Sequence, residues 1–194
     1  DVDEGFMNGP YPLEEVDLDA ISLTRRIPVR ELRSKGWRTR PVDHCTESML
    51  NDATRPCDRV QHDTVNVLVG MILTMFSTAI PAALWKRDIS KAFRRCPIRA
   101  EHLDLAWIVF IANGCRWVAQ HLGMPFGATS SVYAWHRVGN LLTWLILVEA
   151  KAPLARYVDD FFGVARTDIQ WTGGRLLDIL AQCLGFLPDP AKSN

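Results

Sequence analysis

The chain has no Cys-x-x-C pair, no internal repeat, no low-complexity tract and no Gly/Ser-rich linker. Its five cysteines, Cys45, Cys57, Cys96, Cys115 and Cys183, are odd in number and scattered. That argues against a disulfide framework or a zinc ribbon and fits reduced thiols in an intracellular protein. The five histidines show no metal-ligand spacing, and His44 beside Cys45 reads as structural. A net charge of zero excludes a uniformly basic nucleic-acid binder. No signal-peptide pattern opens the sequence. One charge-free hydrophobic run spans 65–85, but Asn66, Gly70, Thr74, Ser77, Thr78 and Pro81 dilute it and basic residues follow at once. It is expected as a buried helix leading into a strand, with no membrane partner.

What is present suits a globular fold. The 194 residues are 48% hydrophobic, enough to bury a real core. Charge is unevenly placed. Residues 1–19 hold seven acids and no Lys or Arg, which reads as a disordered or weakly packed acidic arm. Residues 25–40 hold seven cations against Glu31 alone, and residues 86–99 hold six against Asp88 alone. Such clusters can bind phosphates even in a neutral chain, or can simply be solvated faces.

Three segments carry chemistry. Tyr157-Val158-Asp159-Asp160 sets two carboxylates between apolar and aromatic flanks, Leu154-Ala155 before and Phe161-Phe162-Gly163-Val164 after. The flanks favour strands and the Asp pair favours the turn of a hairpin. Bare carboxylates at a hairpin tip suit a hard divalent cation, although an Asp-Asp turn is usually just solvated. Upstream, Asp88 follows the apolar approach Leu84-Trp85 and precedes Phe93. Metal-assisted phosphoryl transfer needs carboxylates from separate elements, which Asp88 and Asp159 supply; taken alone, Asp88 among cations reads as a surface ion pair. Between them, Met124-Pro125-Phe126-Gly127 makes a sharp bend without bulk at Gly127, and the small residues 128–131 begin a helix expected to run to about Ala150.

Taken in order, Asp88-x-x-x-x-Phe93, Met124-Pro125-Phe126-Gly127-Ala128-x-Ser130-Ser131 and Tyr157-Val158-Asp159-Asp160 resemble the successive palm motifs of reverse transcriptases. Lys35 to Asp43 is similar to the basic fingers strand of that family, and Leu184-Gly185-Phe186-Leu187 with Lys192 is similar to the palm motif that ends in lysine. Each motif is loose; five in the right order, from about residue 25 onward, are specific.

The resemblance implies an α+β fold, an antiparallel palm sheet backed by helices with a fingers subdomain. It also implies RNA-directed DNA polymerisation on a primed RNA or DNA template from deoxynucleoside triphosphates, with two Mg²⁺ or Mn²⁺ ions. Asp88 and Asp159 would hold the ions, with Asp160 in support and the Ile89 carbonyl as an added ligand. Lys192 would protonate the pyrophosphate. Arg40 is the expected triphosphate clamp, with Arg38 and Lys35 as rivals. Phe93 would be the sugar gate that rejects a 2′-hydroxyl. Phe126 and Gly127 would floor the base pocket, and Tyr157 would pack near the primer end.

The expected organisation is an acidic arm over 1–19, fingers over 20–65 and 99–124, and palm over 66–98 and 125–194. Thumb and ribonuclease H domains are expected to lie outside the chain. Two other readings share these motifs: a catalytically silent nucleic-acid-binding remnant, and an RNA-dependent RNA polymerase. The bulky Phe93 and the Val158 before the aspartates favour DNA synthesis over the latter. A purely structural or interaction domain would show no metal response.

Overall fold

Asn113-Gly114 sits between two runs rich in β-branched and aromatic residues, and both turn residues have positive φ (52° and 77°). That is the chemistry of a tight hairpin. It joins β5 (Trp107–Ala112) to β6 (Cys115–His121) in antiparallel register, with Ile108 opposite Ala119. A computed structural model describes residues 1–33, 36–56 and 58–193, without the Arg33 side chain. Lys35, one expected rival for the phosphate clamp, and Cys57 lie outside the described residues.

The fold is mixed α+β and divides into two compact units. The first comprises 1–58 and 93–134. Its sheet runs in the order β1-β6-β5-β2-β3, where β1 is Met7–Pro12, β2 is Leu23–Arg33 and β3 is Gly36–Asp43. Only β2 and β5 run parallel. Met7, Ile108 and Ala119 form a buried cluster with Phe110 packed against it. A short helix, α1 (Leu50–Ala53), follows β3.

That cluster corrects one expectation: the acidic first residues are not a loose arm. Met7 pairs with His121 and is 4% exposed, and the Phe6 carbonyl accepts from the Leu122 and Gly123 amides. The acids flank one apolar strand that completes the sheet, and Asp1 reaches Arg94 at 3.4 Å.

The second unit comprises 59–92 and 135–194. Its antiparallel sheet runs β7-β8-β4-β9, where β4 is Ala82–Ser90, β7 is Leu154–Tyr157, β8 is Asp160–Arg166 and β9 is Leu187–Pro188. Helix α4 (Gln170–Cys183) packs on β4, β8 and β9. Two glycines let it approach: a Cβ at Gly173 would stand 3.0 Å from the Trp85 ring, and one at Gly174 2.9 Å from the Arg87 guanidinium. Helix α3 (Thr129–Trp144) continues as a π-helical turn to Glu149, as expected for 128–150. Its Trp135 is fully buried, with its ring 5.3 Å from Phe186 and 6.5 Å from Phe161.

Helix α2 (Val65–Ser77) forms where expected and leads into β4, but none of its residues is buried. Leu73 is 62% and Phe76 77% exposed. The helix contacts β8, and its apolar residues extend beyond that contact. No helix among the described residues is long and apolar enough to cross a membrane.

Candidate functional site

The hairpin expected at Tyr157–Asp160 is present. Tyr157 pairs with Asp160, leaving Val158 and Asp159 as the two turn residues. Strand β4 lies on the other side of β8 and sets Asp88 directly opposite Asp160. The Ile89 amide donates to the Asp159 carbonyl at 3.3 Å, so the turn is stitched to β4 as well as to its own hairpin. Three carboxylates, Asp88, Asp159 and Asp160, therefore share one end of this sheet. Like charges directly opposite on neighbouring strands are unfavourable, so counter-charge is needed.

Two lysines supply part of it. Lys192 Nζ donates to Asp88 Oδ2 at 3.0 Å and lies 3.6 Å from Asp189 Oδ2. Lys86 Nζ lies 2.9 Å from Asp160 Oδ1 as an ion pair. The Asp189 amide donates to the Asp88 carbonyl at 2.8 Å, which brings the segment bearing Lys192 to β4. Burial raises the Asp88 pKa above the usual carboxylate value, and Asp160 adds to the rise against the Lys192 charge. Burial likewise raises Asp159, reinforced by the Asp88 and Asp160 charges. The hydrogen bond to Asp88 raises Lys192.

The donor set is all oxygen, which is the chemistry a hard divalent cation takes. The side chains are not drawn into a closed cage: among the described residues, no three His, Cys, Asp or Glu side chains are grouped closely enough to hold one ion. Ile89 is 1% exposed, and its amide is spent on Asp159. Tyr157 is 58% exposed with its ring 5.3 Å from His62.

Phe93, Phe126, Gly127, Arg38 and Arg40 belong to the first unit. Phe93 and Phe126 meet edge to face, ring centroids 5.2 Å apart. Gly127 has φ +106°, and a Cβ there would stand 2.4 Å from the Asp43 carbonyl oxygen, so only glycine fits the bend. Arg40 pairs with Glu31 at 3.3 Å, whereas Arg38 is exposed on the same strand.

The cations of the stretch 86–99 are mostly engaged by partners within the chain. Besides Lys86, Arg87 pairs with Asp178 at 3.1 Å, Arg99 with Glu101 at 2.8 Å, and Arg95 lies over the Phe6 ring. Arg94 is buried against His121 Nδ1. Since that arginine donates, His121 carries its proton on Nε2 and gives it to Asp43 Oδ2 at 2.9 Å. Arg26 grips both Asp43 oxygens at 2.7 and 3.1 Å. This network holds the Asp43 carboxyl down at about 2 despite burial.

Sequence reasoning missed two residues. Asn51 Oδ1 accepts from the Thr129 amide at 2.7 Å while its Nδ2 donates to the Gly127 carbonyl at 3.1 Å. It clamps both ends of the bend from the short helix α1, remote in sequence, and no local pattern marks it. Arg156 lies among the buried strand residues Leu154 and Ala155 and is itself 3% exposed. A charged residue inside an apolar strand run was the available signal.

A cavity of about 720 Å³ on the first unit, bordered by Leu13, Arg25, Arg26, Phe110 and Arg116, includes none of the expected site residues. No known protein-family model matches the chain, and no curated protein does.

Proposed function

We propose that the chain is the fingers-and-palm portion of a reverse transcriptase-like polymerase, which adds deoxynucleotides to a primer 3′-hydroxyl on an RNA or DNA template. The observation that supports this most is Asp88 opposite Asp160 across β4 and β8, with Asp159 in the adjoining turn and tied by its carbonyl to Ile89. A hairpin that was only a solvated turn would have no reason to set its carboxylates against a third, 5%-exposed aspartate on the neighbouring strand.

The donor chemistry fits Mg²⁺ or Mn²⁺ at Asp88, Asp159 and Asp160. When bound, the ions supply Lewis acidity that acidifies the 3′-hydroxyl and offsets charge on the triphosphate. This chain's residues do the rest. Asp88 would be one of the residues holding metal, and Lys192, whose ammonium stands 3.0 Å from it, would be placed to give a proton to the leaving pyrophosphate. The exposed Arg38 on β3 offers a planar donor to phosphate, and Arg40 must first leave Glu31 to do so. In this reading the Phe93 ring, braced edge to face by Phe126, would be the gate that rejects a 2′-hydroxyl.

Primer extension on an RNA template, with Mg²⁺ and with Mn²⁺, tests the proposal against Asp159→Asn. Metal-dependent deoxynucleotide incorporation that the variant loses is the expected result. Incorporation retained in full by the variant would overturn it.

A further inference from the structure

Val158 is β-branched, yet its φ is +54°, in the left-handed region such residues avoid. Strain of this kind persists only where the surroundings over-determine it. Here they act on both polar atoms of the residue: the amide donates to His62 Nδ1 at 3.5 Å, and the carbonyl is gripped more tightly. The Val158 carbonyl oxygen accepts two hydrogen bonds, from Arg156 Nη1 at 2.7 Å and from Trp135 Nε1 at 2.8 Å.

Arg156 is an unusual donor for that task. Its guanidinium is buried, and no carboxylate among the described residues lies within ion-pair distance of it. Its Nη2 donates to Asn140 Oδ1 at 2.6 Å and faces His136 Nδ1 at 3.1 Å, while Nε has no partner among the described residues. Its backbone is pinned as well: the Arg156 amide donates to Asp63 Oδ2 at 2.8 Å, and the Asp63 amide donates to the Arg156 carbonyl at 3.2 Å. Space for the side chain is reserved by Gly139 on α3, where a Cβ would stand 2.7 Å from Arg156 Cζ. A buried cation with neutral partners is expensive to keep, and nothing in the packing of a four-residue strand requires one.

The carbonyl it grips belongs to the peptide unit that carries the Asp159 amide. Gripping that oxygen fixes the orientation of the peptide entering Asp159. The Ile89 amide, bound to the Asp159 carbonyl, fixes the peptide leaving it. Both planes flanking the turn aspartate are thus held, one by a side chain and one by the neighbouring strand.

We propose that Arg156 is a positioning residue: with Trp135 it clamps the Val158 carbonyl, in room left by Gly139, and so sets the Asp159 carboxylate for metal. The catalytic consequence rests on the polymerase reading; the clamp itself does not. The guanidinium touches none of the three carboxylates and acts only through the turn.

The test compares the full chain with Arg156→Met, Arg156→Lys and Gly139→Ala. Three readouts are taken: the Trp135 indole N–H resonance (assigned with Trp135→Phe), the affinity for Mn²⁺ alone, and kcat and KM in primer extension. Arg156→Met is expected to move the Trp135 resonance, to weaken Mn²⁺ binding by about 10-fold or more, and to lower kcat by about 10- to 100-fold with little change in KM for the nucleotide. Arg156→Lys should recover part of each. Gly139→Ala, which keeps every donor but crowds the guanidinium, should move the same readouts and carries the test if Arg156→Met fails to fold. An unmoved Trp135 resonance with unchanged Mn²⁺ affinity, whatever happens to melting temperature, overturns the proposal. If the wild type neither binds Mn²⁺ nor extends a primer, the polymerase reading is what fails. The resonance alone then decides the clamp: movement supports it and no movement overturns it.

Discussion

Asp88 and Asp160 face one another across β4 and β8, each with a lysine ammonium at or within 3.0 Å: Lys192 on Asp88 and Lys86 on Asp160. Asp159 has no such partner within ion-pair distance among the described residues, and burial together with its two carboxylate neighbours raises its pKa. One end of the second sheet therefore carries more negative charge than the folded chain neutralises. That arrangement costs stability, and a bound cation would offset the cost.

The first prediction follows from that charge. A carboxyl whose folded pKa is raised contributes stability that is full below its unfolded value of 3.8 and is lost as pH rises through the folded value. At neutral pH, Asp159→Asn should therefore melt higher than the metal-free wild type, by roughly 2–4 °C if about 1 kcal/mol of repulsion is relieved. Mg²⁺ should raise the wild-type melting temperature and leave the variant unmoved. A variant that melts lower at neutral pH would mean the carboxylate is structural.

A second prediction concerns the buried network of Asp43, Arg26, His121 and Arg94. Asp43 is held at about 2, so its contribution is present above 3.8 and disappears as pH falls toward 2. Burial pulls His121 below its ordinary 6.5, so its neutral form is favoured and stability is likewise lost as pH falls through the depressed value. Both act in the same direction. Thermal melts should show wild-type stability declining steadily in acid, with Asp43→Asn flatter over the same range. At neutral pH that variant should cost about 3–5 kcal/mol, because it strips the counter-charge from buried arginines. A loss under about 1 kcal/mol would show those arginines finding other partners.

The third prediction tests the sugar gate. Replacing Phe93 with Val removes the edge-to-face contact to Phe126, worth about 0.5–1.5 kcal/mol beyond area burial, and opens space beside it. Incorporation of ribonucleotides relative to deoxynucleotides should rise while extension with deoxynucleotides persists. An active Phe93→Val enzyme with unchanged selectivity removes Phe93 from that role.

The parts of this architecture legible in the sequence were those written locally. Tyr157–Asp160 carries its own turn chemistry between strand-forming flanks, and Pro125 with Gly127 forces a bend whatever surrounds it. The parts that escaped depend on partners far along the chain. The pairing of β1 with β6 hides Met7 inside a sheet that the surrounding acids do not announce. The α2 run has the hydrophobicity of a buried helix, but how much of it is covered depends on which elements pack against it. Arg156 stands just before the motif read for its aspartates, and its meaning requires knowing that Gly139 empties the space beside it.

The last prediction concerns Asn51, whose side-chain oxygen takes the Thr129 amide at the start of α3 while its side-chain nitrogen donates to the Gly127 carbonyl. A helix start left without its amide partner loses about 1 kcal/mol, so Asn51→Ala should lower stability by that order. Its larger effect should be on binding. The Gly127 carbonyl is held by the Asn51 amide, and the Asp43 carbonyl lies so close that no side chain fits at Gly127. Removing that amide frees the carbonyl while Pro125 and the close Asp43 backbone still limit the bend, so it loosens without collapsing. If Phe126 and Gly127 floor the pocket for the incoming base, the nucleotide KM should rise several-fold with kcat little changed, since no carboxylate of the hairpin is disturbed. Asn51→Asp keeps the oxygen acceptor but loses the donor, and should restore helix stability while leaving KM raised. Equal changes in kcat and KM for both variants would place the bend outside nucleotide binding.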